Sequence, residues 1–263
     1  MPLLARACHP EPTLAVTTLT ALLAVDAGHP VSTCILVTSA VFTGQLSIGW
    51  SNDLIDAARD RTVQRTAKPL ASGALDPRVV RLALAVVLPL CVLLSLLCGL
   101  PSGLTHLVLG VGSGWAYNLW FKRLWWSWLP YAVAFGSLPA VVWLANSPSN
   151  FPPVWLMAAA ALLGVGAHLV NAIPDLAEDA TTGVHGFPHR LGSKNAQRAA
   201  AGLLVAASGV VALAAGYDPP VWVWAALGVV VVLAAIALRT SGRLAFRATI
   251  AIALIDVVML LAR

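Results

Sequence analysis

Long apolar stretches, separated by polar connections, dominate the chain, and nine of them are long enough to predict helices. An α-helix needs about 20 apolar residues to cross the hydrocarbon core of a bilayer. In lipid such a stretch satisfies its backbone groups only as a helix or within a closed barrel. We therefore predict an all-α integral membrane protein with about nine transmembrane helices, at roughly 12–27, 31–50, 80–99, 103–121, 127–145, 153–172, 196–216, 220–238 and 245–262.

Composition and charge agree with this topology. Hydrophobic residues make up 59% of the chain and charged residues 10%, outside the usual range of soluble domains. With the N-terminus inside, fifteen of the sixteen Lys and Arg residues fall on the cytoplasmic side, and only Arg263 falls outside. The net charge of +5 then reflects topology and anionic lipid, not nucleic acid. We expect a multi-pass plasma-membrane protein whose N-terminus and long polar loops are cytoplasmic.

One polar pattern, N-x3-D-x3-D, occurs twice with a spacing of 119 residues, each time directly after an apolar stretch. Duplicated halves are common in membrane proteins, and their polar sites lie where the repeats meet. The period predicts one membrane domain over 1–263, built from half-units at about 12–121 and 127–238 and a ninth helix at about 245–262, around a central cavity. The two copies of the pattern are Asn52, Asp56 and Asp60, and Asn171, Asp175 and Asp179.

Six of the eleven acidic residues lie in these two motifs, namely Asp53, Asp56, Asp60, Asp175, Glu178 and Asp179. Helical spacing places the repeated positions of each motif on one stripe. If the motifs face each other, five or six negative charges converge, and two Mg²⁺ ions would relieve their repulsion. Asn52 and Asn171 offer neutral carbonyl oxygens to the same ions. The alternative interpretation is a pair of acidic faces that water solvates at the ends of two spans.

Basic residues follow both motifs, and a diphosphate is the ligand that suits them together with Mg²⁺. They are Arg59, Arg61, Arg65 and Lys68 after the first motif and His189, Arg190 and Lys194 after the second, although Lys and Arg also serve as positive-inside anchors. Tyr117, Asn118 and Lys122 could bind a phosphate or an acceptor hydroxyl, or belong to an interfacial aromatic belt with its cations.

Two ionisable side chains, His168 and Asp256, stand out within the predicted spans. His168 continues the stripe of the second motif into the membrane. It could contact substrate or make a structural hydrogen bond, and Asp256 has no evident partner in the sequence.

The stretch from Asn52 to Asp60 resembles the first aspartate-rich motif, NDxxDxxxD, of the UbiA-type intramembrane prenyltransferase superfamily. Asn171 to Asp179, followed by Gly183, is similar to the second motif of that family, and the predicted spans and loops agree with it along the chain. The resemblance implies that Asp53, Asp56, Asp60, Asp175 and Asp179 hold Mg²⁺ against an isoprenyl diphosphate. It also implies that Arg65, Lys68 and Arg190 contact the phosphates.

The function implied is an Mg²⁺-dependent transferase that ionises an isoprenyl diphosphate and passes the prenyl group to an aromatic or other lipophilic acceptor. Relatives that cyclise the isoprenyl chain, or transfer phosphoribose to a polyprenyl phosphate, are alternatives within the superfamily. An ion-coupled transporter is the alternative of a different class, because two related halves with intramembrane His168 and Asp256 would suit one. A transporter predicts that Asp256 matters more than Asp56.

Overall fold

The computed structural model describes residues 2–146, 151–213 and 219–261, and all regular structure within these ranges is helical. The prediction of an all-α protein is therefore confirmed. The ends of the predicted spans 196–216 and 245–262, together with Arg263, extend beyond the described residues. The chain forms two compact units, of which the first comprises Met1–Trp120 and Ala140–Phe151 and the second comprises Phe121–Pro139 and Pro152–Arg263.

The first unit contains the N-terminal helices. The helices are α1 (Leu3–Ala7), α2 (Pro10–Asp26), α3 (Val31–Thr62), α4 (Pro77–Leu97), α5 (Leu100–Leu104), a π-helical segment (Thr105–Val111) and α6 (Gly112–Leu119). Proline opens several of them, since its fixed φ suits the first helical turn and its missing N–H costs nothing there. At the start of α4, Asp76 also accepts the backbone N–H of Arg78 at 2.8 Å and caps the helix.

The second unit contains the later helices, and α7 begins in this unit and ends in the first. After a 3₁₀ turn at Phe121–Arg123, the helices are α7 (Leu129–Trp143), α8 (Val154–Ala172), α9 (Leu176–Thr181), α10 (Phe187–Leu191), α11 (Ser193–Leu213), α12 (Val221–Arg239) and α13 (Arg243–Leu261). A second 3₁₀ turn, Ile173–Asp175, separates α8 from α9.

Six helical segments are long and apolar enough to cross a membrane. They are Val31–Thr62, Pro77–Leu97, Val154–Thr181, Ser193–Leu213, Val221–Arg239 and Arg243–Leu261. The predicted count of nine is not confirmed, because α2 has 17 residues and α7 has 15. The predicted span 103–121 is moreover divided among α5, the π-helical segment and α6.

The π-helical segment carries a buried histidine, within the predicted span 103–121, that the sequence analysis did not single out. His106 is buried, and its Nδ1 lies 2.8 Å from Ser95 Oγ on α4. The hydroxyl of Ser95 also lies 2.6 Å from the Cys91 carbonyl oxygen, its hydrogen-bond acceptor. His106 is thus a further histidine within the predicted spans, besides His168.

A small core next to the first acidic motif joins α1, α3, α4 and the connection between the last two. Its buried members include Ala7, Trp50, Leu70, Leu75 and Val80. Burying apolar area stabilises by about 25 cal/mol per Å², so this core fixes the connection firmly on α3. The polar residues of that connection are thereby held at one end of α3.

The core beside the second motif is built differently, from small side chains on three long helices that pack against α8. Ala196, Ala200, Ala237, Ala245 and Ala248 pack with buried residues of α8. Small side chains allow helix backbones to approach closely, as is common in membrane helix packing. This packing fixes α8 up to Ile173, where the motif begins to leave the helix.

Candidate active site

The first acidic motif lies on the last turns of α3, which continues from Trp50 to Thr62 without a break. The spacing of Asp53, Asp56 and Asp60 places the three carboxylates on one face of the helix. The three residues are buried, with 2%, 4% and 0% of their surface exposed. Because burial disfavours an ionised carboxylate, this face requires positive charge close by.

Lys68, in the connection after α3, supplies part of that charge. Its Nζ lies 3.0 Å from Asp53 Oδ1 and 2.9 Å from Asp60 Oδ2, so one ammonium group bridges two carboxylates. Burial lowers the pKa of Lys68, but the charges of Asp53 and Asp60 outweigh it and raise the pKa above its usual value. Lys68 therefore stays protonated at neutral and mildly alkaline pH.

Two arginines complete the neutralisation of the motif. Arg59 Nη2 lies 3.0 Å from Asp56 Oδ2 and 3.6 Å from Asp60 Oδ1. Arg65 Nη1 lies 3.5 Å from the same oxygen of Asp60. Asp60 thus faces three cations, and it is the most enclosed of the three acids. The contact of Arg59 with Asp56 is also a hydrogen bond, and such charge-assisted bonds are stronger than neutral ones.

Backbone hydrogen bonds shape the connection that carries these cations. The amide of Arg65 donates to the carbonyl oxygen of Asp60 at 2.9 Å, and the amide of Lys68 donates to that of Arg65 at 3.0 Å. Leu70, only 1% exposed, anchors the same segment in the core. The segment 63–76 therefore folds back onto the end of α3, which explains how Arg65 and Lys68 reach acids that precede them in the chain.

The N-terminal segment closes over the same face of α3. Trp50 Nε1 donates to the carbonyl oxygen of Leu4 at 3.0 Å. A Cβ at position 49 would collide with the backbone of Cys8, so the close approach of this segment requires Gly49. The segment from Leu4 to Cys8 is thereby fixed beside the acidic motif.

His9 is a site residue that the sequence analysis missed. Its Nε2 lies 3.1 Å from Asp53 Oδ1, and its φ of +55° falls in the left-handed region that residues with a Cβ rarely adopt. The guanidinium of Arg6 donates to Ala67 O at 2.9 Å and ties the same segment to the connection after α3. In the sequence, the only sign of His9 was an ionisable side chain directly before Pro10. His9 lies outside the repeated motif.

α6 contributes Tyr117 and Asn118 to the first unit. Asn118 is buried, and its Oδ1 accepts the side-chain N–H of Asn52 at 2.9 Å. Tyr117, the preceding residue, is half-buried on the same helix. Asn118 therefore binds a residue of the motif itself, and whether this element also contacts a phosphate or an acceptor hydroxyl stays a prediction.

The second acidic motif is not a single helical stripe, contrary to the prediction. α8 ends at Ala172, and the turn Ile173–Asp175 precedes α9. Pro174 explains the break, because it lacks the N–H that a continuous helix would use and its ring crowds the preceding turn. Asn171 and Glu178 are exposed, while Asp175 and Asp179 are half-buried.

A polar cluster inside the second unit contains His168, at the membrane end of this motif. Ser127 Oγ lies 3.0 Å from His168 Nε2 and accepts the amide N–H of Phe187 at 2.8 Å. The ring of Tyr131 stacks on that of His168, with centroids 4.6 Å apart. His168 thus has both the hydrogen bond expected of a structural residue and a position beside the second motif.

The remaining predicted residues of the second unit differ in exposure. Lys122 is buried, whereas Arg190 on α10 is exposed. Near Arg190, burial and then the charge of His185 lower the pKa of His189, which is neutral at physiological pH. Lys122 thus lies inside the second unit, while Arg190 is accessible at its surface.

The structure brings six predicted residues together in the first unit, and it places Tyr117 in that unit too. The six are Asn52, Asp53, Asp56, Asp60, Arg65 and Lys68, whereas the second unit holds Lys122, His168, Asn171, Asp175, Glu178, Asp179 and Arg190. In the described part of the chain, no three His, Cys, Asp or Glu side chains form a ready-made metal cluster. The acids of the first motif engage Lys, Arg and His side chains instead.

A sequence profile of the UbiA prenyltransferase family matches residues 13–253. The chain belongs to the UbiA prenyltransferase family. It is accordingly a multi-pass membrane protein, as its apolar helices indicate. A search of curated protein sequences finds no match.

Solved structures of UbiA homologues share the fold along nearly the whole chain. The apo structure of a homologue from Aeropyrum pernix K1 has a TM-score of 0.78 at 21% identity, covering 96% of this chain and 98% of that one. A homologue from Archaeoglobus fulgidus bound to GPP and Mg²⁺ has a TM-score of 0.73 at 16% identity, with 99% of each chain covered. A digeranylgeranylglyceryl phosphate synthase structure has a TM-score of 0.67 at 17% identity, covering 99% of this chain and 98% of that one.

Proposed function

We propose that the chain is an Mg²⁺-dependent intramembrane prenyltransferase, which ionises an isoprenyl diphosphate and alkylates an aromatic or other lipophilic acceptor. The observation that carries the proposal is the face of α3 where three buried carboxylates meet Lys68, Arg59 and Arg65. Carboxylates and cations interleaved in this way suit a ligand that arrives with both metal ions and negative charge. Membership of the family and the ligands named for the Archaeoglobus homologue support the same chemistry.

The donor atoms of the first motif fit Mg²⁺, because they are all oxygens. Mg²⁺ keeps several waters and usually takes only one or two carboxylates, completing its shell with substrate phosphates. A prebuilt cage of three acids is therefore not required. Asn52, Asp53, Asp56 and Asp60 would hold the ion at the first motif, and Asp175, Glu178 and Asp179 would do so at the second. When bound, Mg²⁺ neutralises the diphosphate and makes it a better leaving group.

The cations of the chain act on the same leaving group. Lys68 and Arg65 now contact carboxylates, and in the proposed complex they turn part of their hydrogen-bonding capacity to the phosphate oxygens. The allylic C–O bond breaks, and its electron pair stays on the diphosphate oxygen. Donors held in place before the reaction stabilise the charge that develops there, and each is typically worth about 100- to 1000-fold in rate.

The apolar helices serve the other end of the substrate. An allylic cation reacts with water, so the bond must break where water is excluded. The cation alkylates the acceptor, which then loses a proton. We assign Tyr117, Lys122, His168, Asn171 and Arg190 to substrate binding on the basis of sequence, and we propose that the isoprenyl tail and the product exchange with membrane lipid.

Pyrophosphate release by purified protein in nanodiscs tests the proposed function. Geranyl, farnesyl, geranylgeranyl and longer diphosphates are supplied with Mg²⁺, and each is repeated with chelator. Wild type should release pyrophosphate only when the metal is present. Release that needs no acceptor would favour cyclisation over transfer.

Asp56→Asn and Asp76→Asn form a matched pair for this assay. Asp76 is an exposed acid of the neighbouring connection that only caps α4, and Asn is an equally good cap. Asp56→Asn should abolish release and Asp76→Asn should retain it. Equal activity of the two variants, or activity that persists in chelator, would contradict the proposal.

We also propose that the enzyme lies in the plasma membrane with its N-terminus and both acidic motifs on the cytoplasmic side. The distribution of Lys and Arg supports this orientation. A fluorescent reporter that folds only in the cytoplasm, fused to the N-terminus, should be active, and an inactive fusion on an otherwise functional enzyme would contradict it.

A further inference from the structure

Asn118 ties α6 to α3 through three hydrogen bonds, two as donor and one as acceptor. Its Nδ2 donates to the carbonyl oxygen of Ile48 at 2.9 Å and to Ser51 Oγ at 2.9 Å. Its Oδ1 accepts from Asn52 Nδ2 at 2.9 Å. Asn118 is 2% exposed, and its bond to Ser51 is fully buried, whereas the bonds to Ile48 and Asn52 are partly buried. All three partners belong to the turn of α3 where the first acidic motif begins.

The chemistry of the partners settles which way both amides point. The carbonyl oxygen of Ile48 can only accept a hydrogen bond, so the side-chain atom of Asn118 that faces it must be the NH₂ group. The oxygen of Asn118 is then directed at Asn52. An oxygen can only accept as well, so Asn52 must present its own NH₂ group to Asn118. The carbonyl oxygen of Asn52 is therefore turned away from Asn118.

We propose that Asn118 is a positioning residue, which holds the carbonyl oxygen of Asn52 toward the divalent cation of the first motif. This inference rests on the proposed function and assigns one ligand of its metal site an orienting partner. A carbonyl oxygen is a suitable Mg²⁺ ligand, whereas the NH₂ group of the flipped amide would repel the ion. Partners that orient a ligand typically contribute about 10- to 100-fold to metal affinity.

The residue type at position 118 matches this role. Serine or alanine would not reach both Ile48 and Asn52, and an aspartate would direct a carboxylate oxygen at the Ile48 carbonyl oxygen. The amide of Asn118 offers two N–H donors on one side, for Ile48 and Ser51, and an acceptor oxygen on the other, for Asn52. One turn earlier, Trp115 Nε1 donates to Ser47 Oγ at 3.3 Å, and this second bond also joins α6 to α3. Trp115 has no bond to Asn52, so it provides a control for a purely structural link.

Mn²⁺ binding measured by electron paramagnetic resonance tests the proposal without turnover. The signal of unbound Mn²⁺ is titrated against protein in nanodiscs, with and without a non-reactive isoprenyl thiodiphosphate. Asn118→Leu should weaken Mn²⁺ binding in the presence of the analogue by about 10- to 100-fold. Trp115→Phe should leave the affinity within about twofold of wild type, even if the two variants melt at similar temperatures.

A double variant separates orientation from packing. If Asn118 acts through Asn52, Asn52→Leu combined with Asn118→Leu should bind Mn²⁺ no more weakly than Asn52→Leu alone. Ser51→Ala, which removes one of the two acceptors of Asn118, should weaken binding to a smaller extent and serves if Asn118→Leu does not fold.

Three outcomes would overturn the assignment. The first is an unchanged Mn²⁺ affinity in Asn118→Leu or, if that variant does not fold, in Ser51→Ala. The second is a loss of Mn²⁺ affinity in Trp115→Phe equal to that in Asn118→Leu. The third is a double variant in which the losses of Mn²⁺ affinity from the two single substitutions add. Wild-type protein that binds no Mn²⁺ with the analogue would instead overturn the proposed function, and the role of Asn118 with it.

Discussion

The two acidic motifs share the pattern N-x3-D-x3-D but differ in local structure. The first lies on an unbroken helix, where Asp53, Asp56 and Asp60 are buried against basic side chains. The second is divided by a 3₁₀ turn, and Glu178 is exposed. At the 119-residue offset Pro174 takes the place of Ile55, which accounts for the break in the backbone. Motifs with the same spacing of acids can therefore differ in backbone structure and in the burial of those acids.

The charges around the motifs differ as well. Residues 52–68 contain three acids and four Lys or Arg residues, whereas 171–187 contain three acids and no Lys or Arg. At the same offset Glu178 replaces Arg59 and Phe187 replaces Lys68. The first motif thus carries its counter-ions within its own segment. The second has a formal charge of −3 over the same length, and a divalent cation would reduce its repulsion more.

The largest expected effect tests whether the two motifs serve one reaction. We expect Asp175→Asn to reduce pyrophosphate release by about 100-fold or more, as Asp56→Asn should, because each removes a carboxylate that would hold Mg²⁺ against the diphosphate. Steady-state release in nanodiscs measures both. Near-normal activity of Asp175→Asn alone would confine the chemistry to the first motif.

Lys68→Met tests the internal neutralisation of the first motif. Removing one member of a buried ion pair costs about 3 kcal/mol or more, because the remaining carboxylates lose their compensation. Lys194→Met, at the start of α11, serves as a surface control that should change the free energy of unfolding by less than about 0.5 kcal/mol. Thermal unfolding in detergent measures both, and equal melting temperatures would contradict the role of Lys68.

The raised pKa of Lys68 also predicts how the difference in stability between wild type and Lys68→Met depends on pH. A group whose pKa is higher in the folded state contributes its full stabilisation below the pKa of the unfolded state, and loses it as the pH rises through the folded value. The ordinary lysine pKa is about 10.4, so the difference between wild type and Lys68→Met should be constant from pH 7 to 9. A loss within that range would indicate that Lys68 is not held by Asp53 and Asp60.

Arg59→Gln and Glu178→Gln compare the two motifs at the same offset. Arg59 contacts two buried carboxylates, so its neutralisation should lower the free energy of unfolding by about 1–3 kcal/mol. Glu178 is exposed beside two other acids, and its neutralisation should change stability by no more than about 0.5 kcal/mol. Unfolding without divalent metal measures both, and comparable losses would remove the electrostatic contrast between the motifs.

Pro174→Ala should have only a small energetic effect, under about 1 kcal/mol, yet it tests why the motifs differ. Alanine restores an amide N–H and allows α8 to continue into α9. Hydrogen exchange should then show slower exchange of the amides between Asp175 and Glu178. Unchanged exchange would mean that tertiary packing, and not the proline, sets the turn.

The helical fold and the family were predictable because apolar periodicity and the NDxxDxxxD pattern are local properties of the sequence. The count of nine spans was less secure, since α2 and α7 are short and a π-helical segment interrupts the predicted span that contains His106. Helix length depends on packing and backbone irregularity, and hydropathy alone does not encode either. The two related half-units and the roles of the site residues remain predictions.

Other features of the site depend on contacts between residues far apart in sequence. His9 reaches Asp53 only because Gly49 lets the N-terminal segment pack on α3. Asn118 reaches Asn52 across 66 residues through the contact of α6 with α3. The break in the second motif is different, because Pro174 was visible and its helix-ending effect could have been applied.

The central claim is that Mg²⁺ and an isoprenyl diphosphate meet at the acidic motifs. Anomalous diffraction at the manganese edge, from crystals grown with Mn²⁺ and a non-reactive isoprenyl thiodiphosphate, tests it most directly. We predict manganese about 2 Å from carboxylate oxygens of the first motif and from those of the second, with phosphate oxygens in each shell. The account would be contradicted by a bound diphosphate with no manganese at the first motif or none at the second. Manganese bound elsewhere in the protein would also contradict it.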